Sequence, residues 1–329
     1  MRAARAGAIG LFLSMAHDTL RTFLHGLIDY AGLFPPAGLA MDAAVDEFAR
    51  QRRSAQAYAL ARFITPISRL DEFAEALAPH LRRDAVPGDE PAPEAWGISV
   101  LLDVPFEQGL RAIESFNKGH AAGDGHTHKH AHSAVIDTIE IKVQTPEIID
   151  KAIDKLPEDL FPFFEIPPEG DFRSFATALA GTGYGAKLRT GGVAPEMIPT
   201  PERVGEFLHV FNQAEVPIKC TAGLHHPVRG EQRLTYKPDS PTAVMHGFIN
   251  VFFAAAAAHA LEVERGVLVS ILKETTPEAF ALDDSGISWR SLKISTEQLG
   301  EAREVFAICF GSCSFAEPID DLAKLGLHA

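Results

Sequence analysis

Acids and bases recur at alternate positions inside otherwise apolar runs of this chain, and that placement either does chemistry or costs stability. Glu140 and Lys142 share one face of the run 136–143, Glu165 ends the run 160–166, Lys187 and Arg189 share a face of 184–190, and Lys219 and Thr221 share a face of 216–222. Asp103 closes the run 96–103 in the same way. Their immediate neighbours are apolar: Ile139, Ile141 and Val143; Phe164 and Ile166; Ala186 and Leu188; Ile218 and Cys220. Residues two apart on a strand point the same way, so the charges fall on one face and the apolar residues on the other. A buried, unpaired charge costs several kcal/mol, so the acids and bases of neighbouring runs must satisfy one another. A core of Leu and Val would be at least as stable, which points the network toward function. Any one of these lysines could instead snorkel outward between helices. Recurrence over consecutive runs argues against that for the set.

The chemistry such a face allows is carbonyl chemistry. On adjacent strands Lys187 and Lys219 would stand roughly 5 Å apart. At an effective dielectric near 20 their repulsion is about 3 kcal/mol, roughly two pKa units. A lysine depressed that far is partly neutral near pH 7 and can attack a carbonyl to form a Schiff base, with Glu165 or Glu140 moving the protons. Arg189, Lys142 and the Thr190-Gly191-Gly192 turn would hold an anionic group of the substrate. Thr221, His225, His226 and Asp103 are further expected substrate contacts. Ser312 and Ser314 close the last run before a helix start, a place where barrels bind phosphate; equally, Ser314 with Glu317 three residues on reads as a helix cap. No cofactor is expected. A second class stays open, because Glu140, Glu165, His225, His226 and Asp103 are also ligand types for a divalent metal. A metal-dependent isomerase or hydrolase would use Lys187 or Lys219 as a base. Adjacent histidines on a strand end point to opposite faces, so that reading ranks second. A non-catalytic barrel that binds a small acid is the third.

These side chains need a scaffold that brings many strand ends to one place. From residue 60 onward short β-branched or aromatic runs alternate with helical patterns. Strands are predicted at 61–66, 96–103, 136–143, 160–166, 184–190, 216–222, 266–272 and 309–315, and helices at 68–82, 105–118, 145–156, 170–181, 200–214, 241–262, 294–308 and 318–327. Thr145-Pro146-Glu147 and Thr200-Pro201-Glu202 carry helix-start chemistry. Eight strands each followed by a helix imply an α/β fold of the (β/α)8 TIM-barrel type over 57–329. Residues 15–56 read as an N-terminal arm, although Leu27–Gly32 could be a ninth unit, and 1–14 as an upstream extension or weak signal-like segment. A doubly wound sheet is the alternative, but no Gly-x-Gly-x-x-Gly turn follows an early strand. Two loops stand out. His120–His132 holds five histidines and reads as a solvated insertion. Residues 225–243 leave a strand for a helix, so they belong to the catalytic face, at the length of an active-site lid.

Composition narrows the partners. The 329 residues are 46% apolar and 22% charged, with 30 Lys and Arg against 44 Asp and Glu, a formal charge of −14. Such a surface repels phosphate backbones and anionic lipid, so the expected partner is a small anionic molecule rather than nucleic acid or a membrane. Cys220, Cys309 and Cys313 form no disulfide framework and lack zinc spacing, which suits a cytoplasmic enzyme. His246 and His259 read as packed or surface histidines.

Lys187-Leu-Arg-Thr190-Gly191-Gly192 and Lys219-Cys-Thr221-Ala-Gly223 resemble the lysine-bearing strand ends of class I aldolases of the deoxyribose-phosphate aldolase kind, although here they fall one strand early. That resemblance implies a lyase in which two lysines on neighbouring strands form and tune a Schiff base. The phrases Asp29–Pro36, Thr221–Pro227 and Gly311–Phe315 are similar to those of a group of bacterial proteins of unassigned activity, a likeness that supplies no reaction.

Overall fold

The computed structural model describes residues 18–84, 95–120 and 134–327. The segment 1–14 and the histidine-rich stretch beyond His120 lie outside them. Seven strands come first: β1 (Ile28–Tyr30), β2 (Leu60–Pro66), β3 (Trp96–Leu101), β4 (Ala134–Lys142), β5 (Phe161–Ile166), β6 (Gly185–Arg189) and β7 (Ile218–Thr221). A hairpin of β8 (Gly230–Arg233) and β9 (Thr242–Met245) follows, then a three-stranded antiparallel sheet of β10 (Phe280–Asp283), β11 (Gly286–Trp289) and β12 (Leu292–Ser295). The last strand, β13 (Ala307–Ser312), pairs in parallel with both β7 and β1 and closes an eight-stranded barrel. Helices alternate with the strands: α1 over 18–24, α2 (Met41–Gln51), α3 (Leu70–Asp84), α4 (Phe106–His120), α5 (Pro146–Ile153), α6 (Phe172–Leu179), α7 (Pro201–Gln213), α8 (Phe248–Leu261), α9 (Arg265–Lys273), α10 (Thr296–Val305) and α11 (Ala316–Lys324). The fold is the expected (β/α)8 barrel. Among the described residues no helix is long and apolar enough to cross a membrane.

Two of the expected elements are corrected. Residues 15–56 are not an arm outside a barrel that begins at 57, because β1 is the barrel's first strand, hydrogen-bonded between β13 and β2. Three residues are too few to display alternation, yet they alternate: Tyr30 lies 5.9 Å from Phe63 and 6.1 Å from Phe48, on the helix side, while Asp29 turns inward. The run 266–272 is not a strand but part of α9. Its Leu268, Ile271 and Leu272 form a buried helical stripe, and Ser270 Oγ donates to the Gly266 carbonyl at 2.9 Å. The β-branched residues within it masked that period. One strand is thus gained and one lost, and the count of eight stands.

The apolar core fills the layer between strands and helices. Phe63 stacks on Phe73 at 4.9 Å and meets Phe48 edge-on at 5.5 Å. On the far side α8 is buried all round, from Phe248 to Ala258, and its alanines let α7, α9 and α10 pack closely against it. Thr200 caps α7, accepting from Arg203 N–H at 3.3 Å, whereas the Thr145 side chain accepts no backbone N–H of α5. His246 is buried just before α8, and His259 rests on the Phe306 ring at 6.0 Å.

Candidate active site

Pairing register decides which charges meet. It sets Glu165 of β5 level with Lys187 of β6, and Lys187 level with Lys219 of β7. Glu140 reaches across from β4 and divides itself between the two lysines. Its Oε1 accepts from Lys219 Nζ at 2.7 Å and from Ser99 Oγ at 2.8 Å, and its Oε2 accepts from Lys187 Nζ. Lys187 Nζ also lies 2.6 Å from Glu165 Oε2. At the inner end Lys219 Nζ donates to Asp29 Oδ2. The other oxygen of Asp29 accepts the Arg62 backbone N–H at 2.9 Å, and Cys309 Sγ approaches Oδ2 at 3.4 Å. The result is one series of alternating charge, Asp29–Lys219–Glu140–Lys187–Glu165. Burial grades along it, from no exposure at Asp29 and Lys219 to 13% for the Glu165 side chain.

The carboxylate between the lysines changes the electrostatics expected of them. Burial alone would lower the Lys219 pKa, but Asp29 and Glu140 outweigh it and hold the ammonium well above the ordinary lysine range. The expected depression by lysine–lysine repulsion is therefore corrected for Lys219, because that arithmetic left out the acid standing between the two. Burial would likewise raise Glu140 and Glu165. Lys187 and Lys219 override it at Glu140 and hold it below the carboxylate range, and Lys187, Arg189 and Lys142 do the same for Glu165.

A cavity of about 320 Å³ opens over Lys187 at the carboxyl ends of the strands, where barrels place their active sites. Of the residues singled out from sequence, Glu140, Lys142, Glu165, Lys187, Arg189, Gly192, Thr221 and His225 line it. Lys219 is off the lining and fully buried, joined to the cavity wall by its bond to Glu140. The loop expected as a lid is in fact the β8–β9 hairpin, which contributes Leu234 and Met245 to the lining.

The remaining expected residues are engaged elsewhere. Asp103 accepts the Ser68 backbone N–H at 2.9 Å. His226 pairs with Asp321 at 2.6 Å. Ser312 Oγ donates to the Ser314 carbonyl at 2.6 Å, and Ser314 Oγ accepts the Glu317 N–H at 3.1 Å, the capping alternative. Thr190 Oγ1 donates to the Ala222 carbonyl at 2.7 Å. Gly191 lies against Gly223, so close that a Cβ on Gly191 would come within 2.7 Å of the Gly223 Cα. That contact faces a left-handed pair, Ala222 at φ 62° and Gly223 at φ 78°, a conformation that costs a non-glycine residue about 1 kcal/mol or more. Thr190 and Gly191 thus fasten the loops after β6 and β7 together. Of the acids and histidines proposed as metal ligands, Glu140, Glu165 and His225 share the cavity lining, but among the described residues no three His, Cys, Asp or Glu side chains are grouped to hold an ion.

The chain matches no known family model, no curated protein and no solved structure. What the site can do therefore rests on its own geometry.

A second titratable cluster lies at the rim. His225 Nδ1 is 3.3 Å from Glu317 Oε2 and 3.4 Å from Ser312 Oγ. Tyr236 Oη donates to Glu317 Oε2 at 3.1 Å and lies 3.7 Å from Cys313 Sγ, which lines the cavity. Burial would raise Glu317, but His225, His226 and Tyr236 hold it below its ordinary range. From sequence Asp29 reaches the mouth only if the N-terminal arm folds over it, and nothing there singles out Ser99, Tyr236 or Glu317 as a partner of His225. The acid between Ile28 and Tyr30 was the available signal for Asp29. The others become visible only once strand order and register are known.

Proposed function

We propose that the protein is a lyase that makes or breaks a carbon–carbon bond beside a carbonyl, through a Schiff base on Lys187. The observation that carries this reading is the contrast between the two lysines. Lys187 meets the cavity between two carboxylates, whereas Lys219 is sealed beneath it as a fixed ammonium. Lys219 shares Glu140, so the hold of that acid on Lys187 is divided, and Glu165 stands within proton-transfer distance of Nζ. Lys187 passes a proton to Glu165 and attacks the carbonyl carbon. A C–N bond forms, the oxygen leaves as water, and an iminium results. In the cleavage direction Glu165, having returned its proton to the departing water, removes the proton of a hydroxyl two carbons away. The C–C bond breaks, its electron pair enters the iminium as an enamine, and an aldehyde or ketone departs. The enamine carbon then takes the proton back, and water hydrolyses the iminium to free Lys187. Arg189 and Lys142, on the same side of the cavity, bind the anionic group. The strand count supports the reading as well: with β1 included, Lys187 and Lys219 fall on the sixth and seventh barrel strands, and the one-strand offset from the class I aldolases disappears.

The test is reductive trapping. Incubation with 2-keto acids and aldehydes, then borohydride, should leave a stable adduct on the peptide carrying Lys187, which Lys187→Met abolishes. An adduct on Lys219 instead would overturn the assignment. No adduct, with stoichiometric metal in the purified protein, would favour the metal-assisted class, and neither adduct nor metal a binding barrel.

A further inference from the structure

The cavity wall is divided by chemistry, and the division describes the substrate. Its charged groups, Glu140, Lys142, Glu165, Lys187 and Arg189, all come from the neighbouring strands β4, β5 and β6. The rest of the lining is mainly apolar, with Thr221 and His225 its polar members. Phe34 comes from the loop after β1, Ile64 from β2, Met197 from the loop after β6, and Leu234 and Met245 from the hairpin. Leu234 and Met245 are 2% and 3% exposed, so the cavity reaches an apolar layer that a purely polar substrate would leave unmatched. At the entrance the lining residues Val193 and Met197 are 40% and 36% exposed. Single exposed apolar residues need no explanation, but a pair at the opening of an apolar-walled cavity offers contact to a ligand. Of the hydroxyls expected to hold a polar group, those of Thr190, Ser312 and Ser314 are engaged with the protein, which leaves Thr221 on the lining.

We infer that the substrate is amphiphilic, with an anionic carbonyl head on the β4–β6 arc and a short apolar body against the hairpin and the loop after β6. A sugar phosphate or a small hydroxy acid would not fill this wall. A volume of about 320 Å³ lies at the low end for small-molecule sites, which suits a body of a few carbons. The inference rests on the proposed lyase reading only for the end of the molecule that meets Lys187.

The experiment separates the two. Straight-chain 2-keto acids of increasing length are trapped with borohydride at sub-saturating concentration, with glyceraldehyde 3-phosphate as the polar comparison. In parallel the protein's melting temperature is measured with saturated carboxylates of the same lengths, which carry no carbonyl. Trapping should rise about fourfold per added methylene, the factor equivalent to ~0.8 kcal/mol per buried CH2, until the wall is covered. Thermal stabilisation should follow the same order. Met197→Gln, at a partly exposed position of the wall, should flatten both series. An adduct that ignores chain length, or is strongest with the phosphate, overturns this inference and leaves the lyase reading standing. Chain-length-dependent stabilisation without any adduct does the reverse. Neither dependence nor adduct overturns both.

Discussion

A buried arginine and a buried pair of lysines lie toward opposite ends of the barrel, and they differ in what surrounds them. Near the amino ends of the strands, Arg303 of α10 is buried and donates to backbone carbonyls: those of Phe23 at 3.1 Å, His25 at 3.0 Å, Ile308 at 2.5 Å, and Ala307. Burial pushes its guanidinium down to about 10, still charged at neutral pH. Near the carboxyl ends, Lys187 and Lys219 are also buried but face Asp29, Glu140 and Glu165. A carbonyl cannot take a proton from arginine, so Arg303 ties the segment before β1 to β13. A carboxylate can take a proton from lysine. Burial alone does not mark a functional cation; a partner able to exchange its proton, beside a cavity, does.

The largest expected effect breaks the lysine side of this contrast. Lys187→Met should lower turnover of any substrate found by trapping at least about 10³-fold while the protein stays folded, because Lys219 still pairs with Glu140. Near-wild-type turnover would remove Lys187 from the chemistry. Next come substitutions that strand a buried partner. Lys219→Met leaves Asp29 sealed without its cation and should cost 3–5 kcal/mol, roughly, in denaturant unfolding. Adding Asp29→Asn should restore a large part of that loss; a double variant as unstable as the sum of the single ones would deny the coupling. Arg303→Leu orphans several carbonyls at about 1–3 kcal/mol each before relaxation. It should lower the melting temperature but leave trapping per folded molecule unchanged, whereas loss of trapping would erase the distinction drawn between the two ends.

The smaller effects appear as pH dependence. His246 donates from Nε2 to the Pro199 carbonyl at 2.7 Å and faces the Arg229 guanidinium at 3.3 Å. Burial first, and Arg229 second, press its pKa down to about 4. A depressed histidine stabilises the fold above its unfolded value, near 6.5. That contribution, up to about 3 kcal/mol, fades as pH falls from 6.5 toward 4, and His246→Gln should remove the slope from urea titrations in this window. Glu140 and Glu165, held low, contribute above about 4.3 and lose it as pH falls through their folded values, whereas Lys219, held high, contributes below about 10.4 and loses it as pH rises. Wild type should therefore be most stable between those limits, and Lys219→Met should blunt the alkaline edge.

Much of the candidate site was legible because a charge at every second position of an apolar run has few places to go. Glu140, Lys187 and Lys219 were recognisable in that way, and so was the barrel that must hold them. Their pairing was not. Glu140 pairs with both lysines because β4, two strands away from β6, reaches across the barrel interior, and no local pattern carries that distance. Asp29 lay in a strand too short to show a period, and α9 was hidden by Val267, Val269 and Ile271, whose strand preference packing overrode. The hydroxyls and glycines around Thr190 and Ser312 had the right types for anion binding, but their partners turned out to be the neighbouring loops.

The contact of Gly191 with Gly223 bears on how this rim can diverge. With no room for even a methyl group between them, the turns after β6 and β7 are locked into one piece, and neither can lengthen or change course without the other. The hairpin after β7 is pinned in this way only at its base, where a Cβ on Gly247 would collide with the Pro227 carbonyl oxygen, and not along β8 and β9 themselves. Variation in what the cavity accepts is therefore expected to collect there, on Leu234, Met245 and their neighbours, while the glycine pair keeps Arg189 and Thr221 in a fixed relation.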